Sequence, residues 1–381
     1  LTGKQLLFCP PYRYAAKYTI LFLLVLAASL SSLSLVAKTS PKPVPPERFN
    51  LIHADKLFLN KVNEENIMQL WGNVHFYYGK TEFRSNQAFI YDTQKIARLL
   101  GNVQVSNDTV QVYADSVSYY RIANLMNMGG RVEIREKKKD GTFSQFNSRY
   151  GSYNRTNGNI TAWDAVTAHS QKEKSRAACG YAFYDRKQGY GYLLQKPRLW
   201  SEGRDTLYIE AEKMEFFDAD RKIVATFNVL AQSREYRATS DFLIYFLKEE
   251  KAVFVGEPQF TSDFAHADAV EFYLYFKDRA LQSTELKDSC QVWFAEERHK
   301  PQTNWVKADF IRMNFHEDDL TDFTAENRVT YYYRQDKEEK KDLFVNDASG
   351  EYLKALFGED GKLSKMKMQR QVKGIYRFQK E

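Results

Sequence analysis

The sequence predicts an all-β chain of stacked repeats, each about 30 residues long, whose strands form two facing sheets. Three observations carry that reading. A short phrase recurs at a fixed interval: Gly72-Asn73-Val74, Gly101-Asn102-Val103 and Gly130-Arg131-Val132 stand 29 residues apart. After a second phrase, Ala followed by an acid, apolar and polar residues alternate, which is the period of a half-buried strand. Finally, 25 Tyr, 27 Phe and 5 Trp against only 9 Pro favour strands over helices.

Residues 1–37 carry Lys4, Arg13 and Lys17 and then run uncharged from Tyr18 to Ala37. The apolar stretch Ile20 to Ala28 has signal-peptide length. Twenty uncharged residues also just span a bilayer, so a single membrane anchor at residues 18–37 is the other reading. Both readings export the body of the chain, because positive residues stay on the cytoplasmic side. Residues 38–50, with Lys42-Pro43-Val44-Pro45-Pro46, form a stiff extended linker.

The repeat domain runs over residues 51–334. Its first half-repeats begin at Ala54-Asp55, Ala114-Asp115, Ala211-Glu212, Ala267-Asp268 and Ala308-Asp309, with Ser85-Asn86 and Ser240-Asp241 as variants. Its second half-repeats are the Gly-x-Val strands, with degenerate copies at Gly256-Glu257-Pro258, Ser289-Cys290-Gln291-Val292 and Asn327-Arg328-Val329. The Gly suits a turn or bulge where the backbone bends into the next strand, and Asn tolerates the same left-handed geometry. Counting degenerate copies gives nine or ten repeats. Those at 150–235 are poorest, with Arg149-Tyr150-Gly151 and Gly180-Tyr181-Ala182 as first halves. The Ala-acid strands and the Gly-x-Val strands are expected in separate, facing sheets. Residues 335–348 begin with a run of mixed charge and read as a solvated loop. Residues 349–381 form a last rung and tail, with one helix candidate at 350–357.

Charge and motifs exclude several functions. Of the net +6, residues 1–38 hold four cations and no acid, leaving +2 on the body. That is no nucleic-acid footprint. His53, His75, His169, His266, His299 and His316 form no metal-binding pair, and His266-Ala267-Asp268 belongs to the repeat template. No nucleophile motif or phosphate loop is present, so neither catalytic residues nor a cofactor are expected, and no metal site. The recurring acids read as hydrogen-bonding groups at strand starts. Cys9 precedes the apolar segment; Cys179 and Cys290 are either a disulfide of an exported chain or two isolated thiols.

An exported chain in which Ala-Asp-x-x-x-aromatic and Gly-Asn-Val-x-Val alternate resembles the OstA (organic solvent tolerance) family of LptA-like lipopolysaccharide-transport proteins. The likeness is best over Ala54–Ile134. It implies an elongated, stacked antiparallel β jellyroll with an open groove, a periplasmic location and no enzymatic activity. It also implies lipopolysaccharide or a similar lipid as cargo, with the acyl chains in the groove. Other lipopolysaccharide-transport proteins, or further copies of this chain, would join by edge-strand pairing. Parity assigns the groove to Leu57, Leu59, Val74, Phe76, Ala88, Ile90, Val103, Val105, Val117, Tyr119, Val132 and Ile134. Later rungs add Met214, Phe216, Leu243, Tyr245, Val270, Phe272, Ile311 and Met313. The competing reading of the same residues is a closed sandwich core. At the level of function the alternative is an exported scaffold, adhesin or glycan-binding β solenoid. The chain is about twice the size that the resemblance leads one to expect of the small bridge component, and too few residues follow the last repeat for a membrane barrel.

Overall fold

The computed structural model describes residues 48–138, 140–172, 174–202, 207–233, 236–262, 265–277, 280–295, 301–316, 319–337, 342–358 and 363–379. These form 26 strands in one antiparallel ladder, and among the described residues there is no helix. The first part holds β1 (Phe49–His53), β2 (Lys56–Val62), β3 (Glu65–Tyr78), β4 (Thr81–Tyr91), β5 (Ile96–Ser106), β6 (Val110–Tyr120), β7 (Leu125–Lys137) and β8 (Phe143–Asn154). The middle holds β9 (Asn159–Ser170), β10 (Ser175–Asp185), β11 (Tyr190–Leu194), β12 (Arg198–Ser201), β13 (Tyr208–Glu210), β14 (Lys213–Phe217), β15 (Lys222–Gln232), β16 (Tyr236–Phe246), β17 (Lys251–Val255) and β18 (Gln259–Ser262). The last part holds β19 (Ala265–Asp268), β20 (Glu271–Lys277), β21 (Ala280–Phe294), β22 (Asn304–His316), β23 (Asp319–Lys337), β24 (Asp342–Phe357), β25 (Leu363–Gln369) and β26 (Lys373–Gln379).

Rungs pair only with their neighbours in sequence. Some rungs are broken into two short strands lying end to end. β1 and β2 both pair with β3, and β25 and β26 both pair with β24. Counted this way the ladder has twenty rungs, or ten two-rung repeats.

Each rung bends at mid-length. In β3 the pairing with β4 shifts between Trp71 and Val74, and in β5 the pairing with β6 shifts between Leu100 and Val103. Every second rung makes this corner with left-handed residues. They are Gly72-Asn73, Gly101-Asn102, Gly130, Asp164-Ala165, Gln195-Lys196, Phe227-Asn228, Gly256-Glu257, Asp288-Ser289, Asn327-Arg328 and Arg370-Gln371. The Gly-Asn-Val phrase is therefore a bulge inside one continuous strand, and not a turn into the next. An extra residue there lets the strand bend without leaving the ladder.

The acid of the other phrase sits on the neighbouring rung at the same corner. Asp55 N–H donates to the Gly72 carbonyl at 3.0 Å, and Asn73 Nδ2 donates to Asp55 Oδ2 at 3.2 Å. Arg131 pairs with Asp115 at 2.7 Å and Arg328 with Asp309 at 2.6 Å; at the β9 corner the roles reverse, with Arg149 of the neighbouring rung pairing with Asp164 at 2.9 Å. The two phrases thus face each other across one pair of strands. They do not belong to separate sheets: each rung gives one half to each of two facing half-sheets.

Four further expectations change. The helix candidate at 350–357 lies in β24, where Leu353 and Ala355 alternate inward against β23 and β25. Part of the charged stretch at 335–348 is strand: Gln335, Asp336 and Lys337 pair with Phe344, Leu343 and Asp342. Residues 338–341 lie outside the described residues. Ala267-Asp268 falls two positions before its corner, which is at Val270, whose N–H reaches the carbonyls of Lys287 and Asp288 at 3.1 Å. Phe49 and Asn50, read as linker, already pair in β1.

Candidate functional site

The inward positions of each rung form two kinds of row. Next to the corner lies an apex row: Leu70, Ala88, Leu99 and Val117 from one half-sheet, in register across β3 to β6. Val74, Val103 and Val132 face them from the other half. All seven are at most 1% exposed. Two residues farther from the corner lies a mouth row: Met68, Ile90, Ala97 and Tyr119 on one half, Phe76, Phe83 and Val105 on the other.

Between the two mouth rows at this end of the ladder is a cavity of about 470 Å³. Its walls are mainly Met68, Ile90, Ala97 and Tyr119 on one side and Phe49, Phe76, Tyr78 and Phe83 on the other. Large side chains project from both half-sheets here, and they prop the halves apart. Tyr78 and Tyr119 meet across the gap edge to face, with centroids 6.5 Å apart. Phe76 stacks on Phe83 at 5.0 Å and tilts against Phe49 at the same distance. The rim carries Lys61, Asn60, Asn66, Asp92 and Arg121.

The residues assigned by parity all lie on these rows or their continuation, at two depths. Leu59, Phe76, Ile90 and Tyr119 line the cavity. Val74, Ala88, Val103, Val117 and Val132 are sealed at the apex, packed on one another. Val105 and Ile134 belong to the same core cluster but do not line the cavity. Leu57 and Leu59 carry the rows onto the edge rung and are exposed there. Residues missed by the sequence are Phe49, Met68, Tyr78, Phe83 and Arg121. Met68, Tyr78 and Phe83 continue the same alternation and were within its reach. Arg121, in a turn, had no signal.

Farther along, the mouth closes. From β9 on, one half-sheet presents Tyr184, Phe216 and Tyr245, all buried. The other presents Ala168, Ala177, Ala231 and Ala238. A ring against a methyl group lets the half-sheets approach until no room is left. Phe254, Phe272 and Tyr331 are buried in the same core, and Met214, Leu243 and Ile311 sit at its apex. Met313 packs against that core, whereas Val270 is 49% exposed at its corner. A cavity in this part of the core, by Phe146 and Cys179, is only about 10 Å³. The two cores are distinct clusters that meet at β8, whose inward residues near the corner are only Ser148 and Gly151.

Electrostatics concentrate outside the groove. Hydrogen bonds from His53 and then Asn73 hold Asp55 below the usual carboxylate range, and Arg131 does the same for Asp115. Glu82 is lowered chiefly by Arg84. Cys179 and Cys290 are separate free thiols, each pushed up to about 12 by burial. Among the described residues no group of three or more His, Cys, Asp or Glu is placed to hold a metal ion. No helix among them is long and apolar enough to cross a membrane, and residues 18–37 lie outside the described part.

Comparison with known proteins bears on this same end of the ladder. No curated protein matches the chain. A structural match is the crystal structure of LptH, the LptA homologous periplasmic component of the conserved lipopolysaccharide transport device from Pseudomonas aeruginosa. It is 10% identical and covers 44% of this chain and 75% of LptH, with a TM-score of 0.12, too low to bear on the fold. Residues 47–164 match the family described as OstA-like protein. That span contains β1 to β8 and the whole cavity, so the likeness to the OstA-like family falls on the part of the chain that forms the groove.

Proposed function

We propose that the protein is a non-enzymatic periplasmic carrier that holds lipopolysaccharide acyl chains in the groove of its OstA-like domain, on the way to the outer membrane. The observation that carries this reading is the apolar cavity between the two mouth rows. Its size falls within the ~300–1,000 Å³ typical of ligand sites. An open apolar strip of this kind is a hazard unless something fills it. Acyl chains fill it at about 0.8 kcal/mol per buried methylene. The half-sheets touch at the apex and diverge at the mouth, so a chain can enter from the side while its sugars stay outside.

The sealed part from β9 to β24 then serves as a spacer, extending from the groove on the side away from residues 1–37. That part alone fits the scaffold alternative, since its core is closed and rings such as Phe227 and Phe242 stand outside, 5.5 Å apart. Partners of similar fold, or further copies of the chain, would add strands at the two ends of the ladder. The energy for directed movement would come from a separate component.

In-cell photo-crosslinking tests the reading. A crosslinking residue at Met68 or Ile90, on the cavity wall, should capture lipopolysaccharide. One at Val117, sealed at the apex, or at the outward Arg98 should not. Equal capture at all four sites removes the groove.

A further inference from the structure

Arg121 is the cation of the cavity rim that has no acid to pair with among the described residues. The other charged rim groups are engaged: Lys61 with Glu64 at 3.0 Å, and Asp92 with Lys95 at 3.0 Å. The Arg121 backbone is fixed by its N–H donating to the Lys95 carbonyl at 2.9 Å. Its Nη2 donates to the Tyr91 carbonyl at 3.2 Å. Its Nε is shielded from solvent and has no hydrogen-bond partner among the described residues. A guanidinium has five donors in a rigid fork matched to phosphate and carboxylate oxygens. A buried donor left unmade is costly, so this one is poised for an acceptor brought from outside. The site lies at the edge of the apolar wall made by Ile90, Ala97 and Tyr119. Asn60 and Asn66 line the same cavity.

We propose that Arg121 anchors the headgroup of the bound amphiphile by an anionic oxygen, that of a phosphate next to its acyl tail. This rests on the groove reading and adds to it which lipids the groove selects. The tail occupies the cavity, and a phosphate oxygen takes the unmade Nε–H. Arg121 is a specificity-determining residue: it adds affinity for phosphorylated amphiphiles and none for neutral ones.

The test compares dodecyl phosphate and dodecyl maltoside, both below their micelle concentrations, and inorganic phosphate as competitors of an apolar dye on the purified full chain. Dodecyl phosphate should bind about tenfold tighter than dodecyl maltoside, the increment of a charge-assisted hydrogen bond. Arg121→Gln should erase that preference and leave dodecyl maltoside unchanged; Arg121→Lys should keep part of it. Unchanged maltoside binding also shows that the variant is folded. Equal binding of the two amphiphiles by the native chain overturns the anchor and leaves the groove standing. A preference that survives Arg121→Gln overturns it too. Inorganic phosphate competing as well as dodecyl phosphate would make this a free-phosphate site and overturn the headgroup assignment. If neither amphiphile binds, the groove reading falls together with the anchor.

Discussion

Gly130 has a φ of 77°, and a Cβ built on it would stand 2.2 Å from Asp115 Oδ2. Its neighbour Gly129 has no such φ, and a Cβ there would meet only Ser116 Oγ at 3.0 Å, the end of a side chain that can rotate. The two glycines therefore answer to different constraints. A left-handed non-glycine residue costs roughly 1–2 kcal/mol, and the clash with Asp115 adds to it. Gly130→Ala should lower unfolding stability by at least about 2 kcal/mol in urea titrations, and Gly129→Ala by less than half as much. Similar losses at both positions would mean that the corner does not require Gly130. The same contact explains why the acid phrase and the glycine phrase recur together. At Gly72 the intruding group would be Asp55, at Gly256 it would be Asp241, and at Gly180 the roles reverse, with Gln195 as the crowding side chain. This corner was legible in the sequence where glycine marks it. It was not legible at Asp164-Ala165, Gln195-Lys196 or Phe227-Asn228, where ordinary residues take the left-handed conformation because the ladder on both sides leaves them no other.

Alternation along a strand tells inside from outside and nothing about depth. The assigned residues follow that alternation, yet Leu57 and Leu59 are exposed on the edge rung, Val103 and Val117 are closed off, and Ile90 and Tyr119 border the cavity. Depth depends on distance from the corner and on what the opposite half-sheet presents, and alternation carries neither until the corner is placed. Met68 and Phe76, eight residues apart in β3, face each other only because the strand bends between them. The helix candidate at 350–357 failed on the same point, since only pairing with β23 and β25 made it a strand. The end rungs show the converse. β2 and β26 expose Leu59 at 71%, Tyr376 at 69% and Phe378 at 61%, each beside a strand edge that is unpaired among the described residues. Such edges are templates for another strand. Light scattering should therefore show self-association that rises with concentration. The double change Ile375→Lys and Phe378→Lys should suppress it without loss of stability, because both side chains are already exposed. A chain that stays monomeric throughout the concentration series would leave the edges without a role in assembly.

Across the whole molecule the ladder is continuous while its interior is not. Twenty rungs share one hydrogen-bonded sheet, but the core divides at β8 into a propped section and a sealed one. In a stacked array stability is a sum of local terms and neighbour interfaces, so the two sections need not respond together. A lipid track running the full length would stabilise every rung it touches. A lipid held only between β1 and β6 stabilises that section alone, by an amount set by its concentration relative to Kd. Hydrogen exchange of the full chain with and without dodecyl phosphate separates these cases. At a ligand concentration 100 times Kd, amides of β3 to β6 that exchange through opening of the groove should slow by up to about 100-fold. Amides of β15 to β24 should exchange at unchanged rates. Protection spreading evenly to β24 would show that the buried rings of Tyr184, Phe216 and Tyr245 move aside for cargo, and the division into groove and spacer would have to be abandoned. Protection confined to β3 to β6 would place the cargo where large side chains face each other, and would make the alanine-faced rungs the arm that carries it.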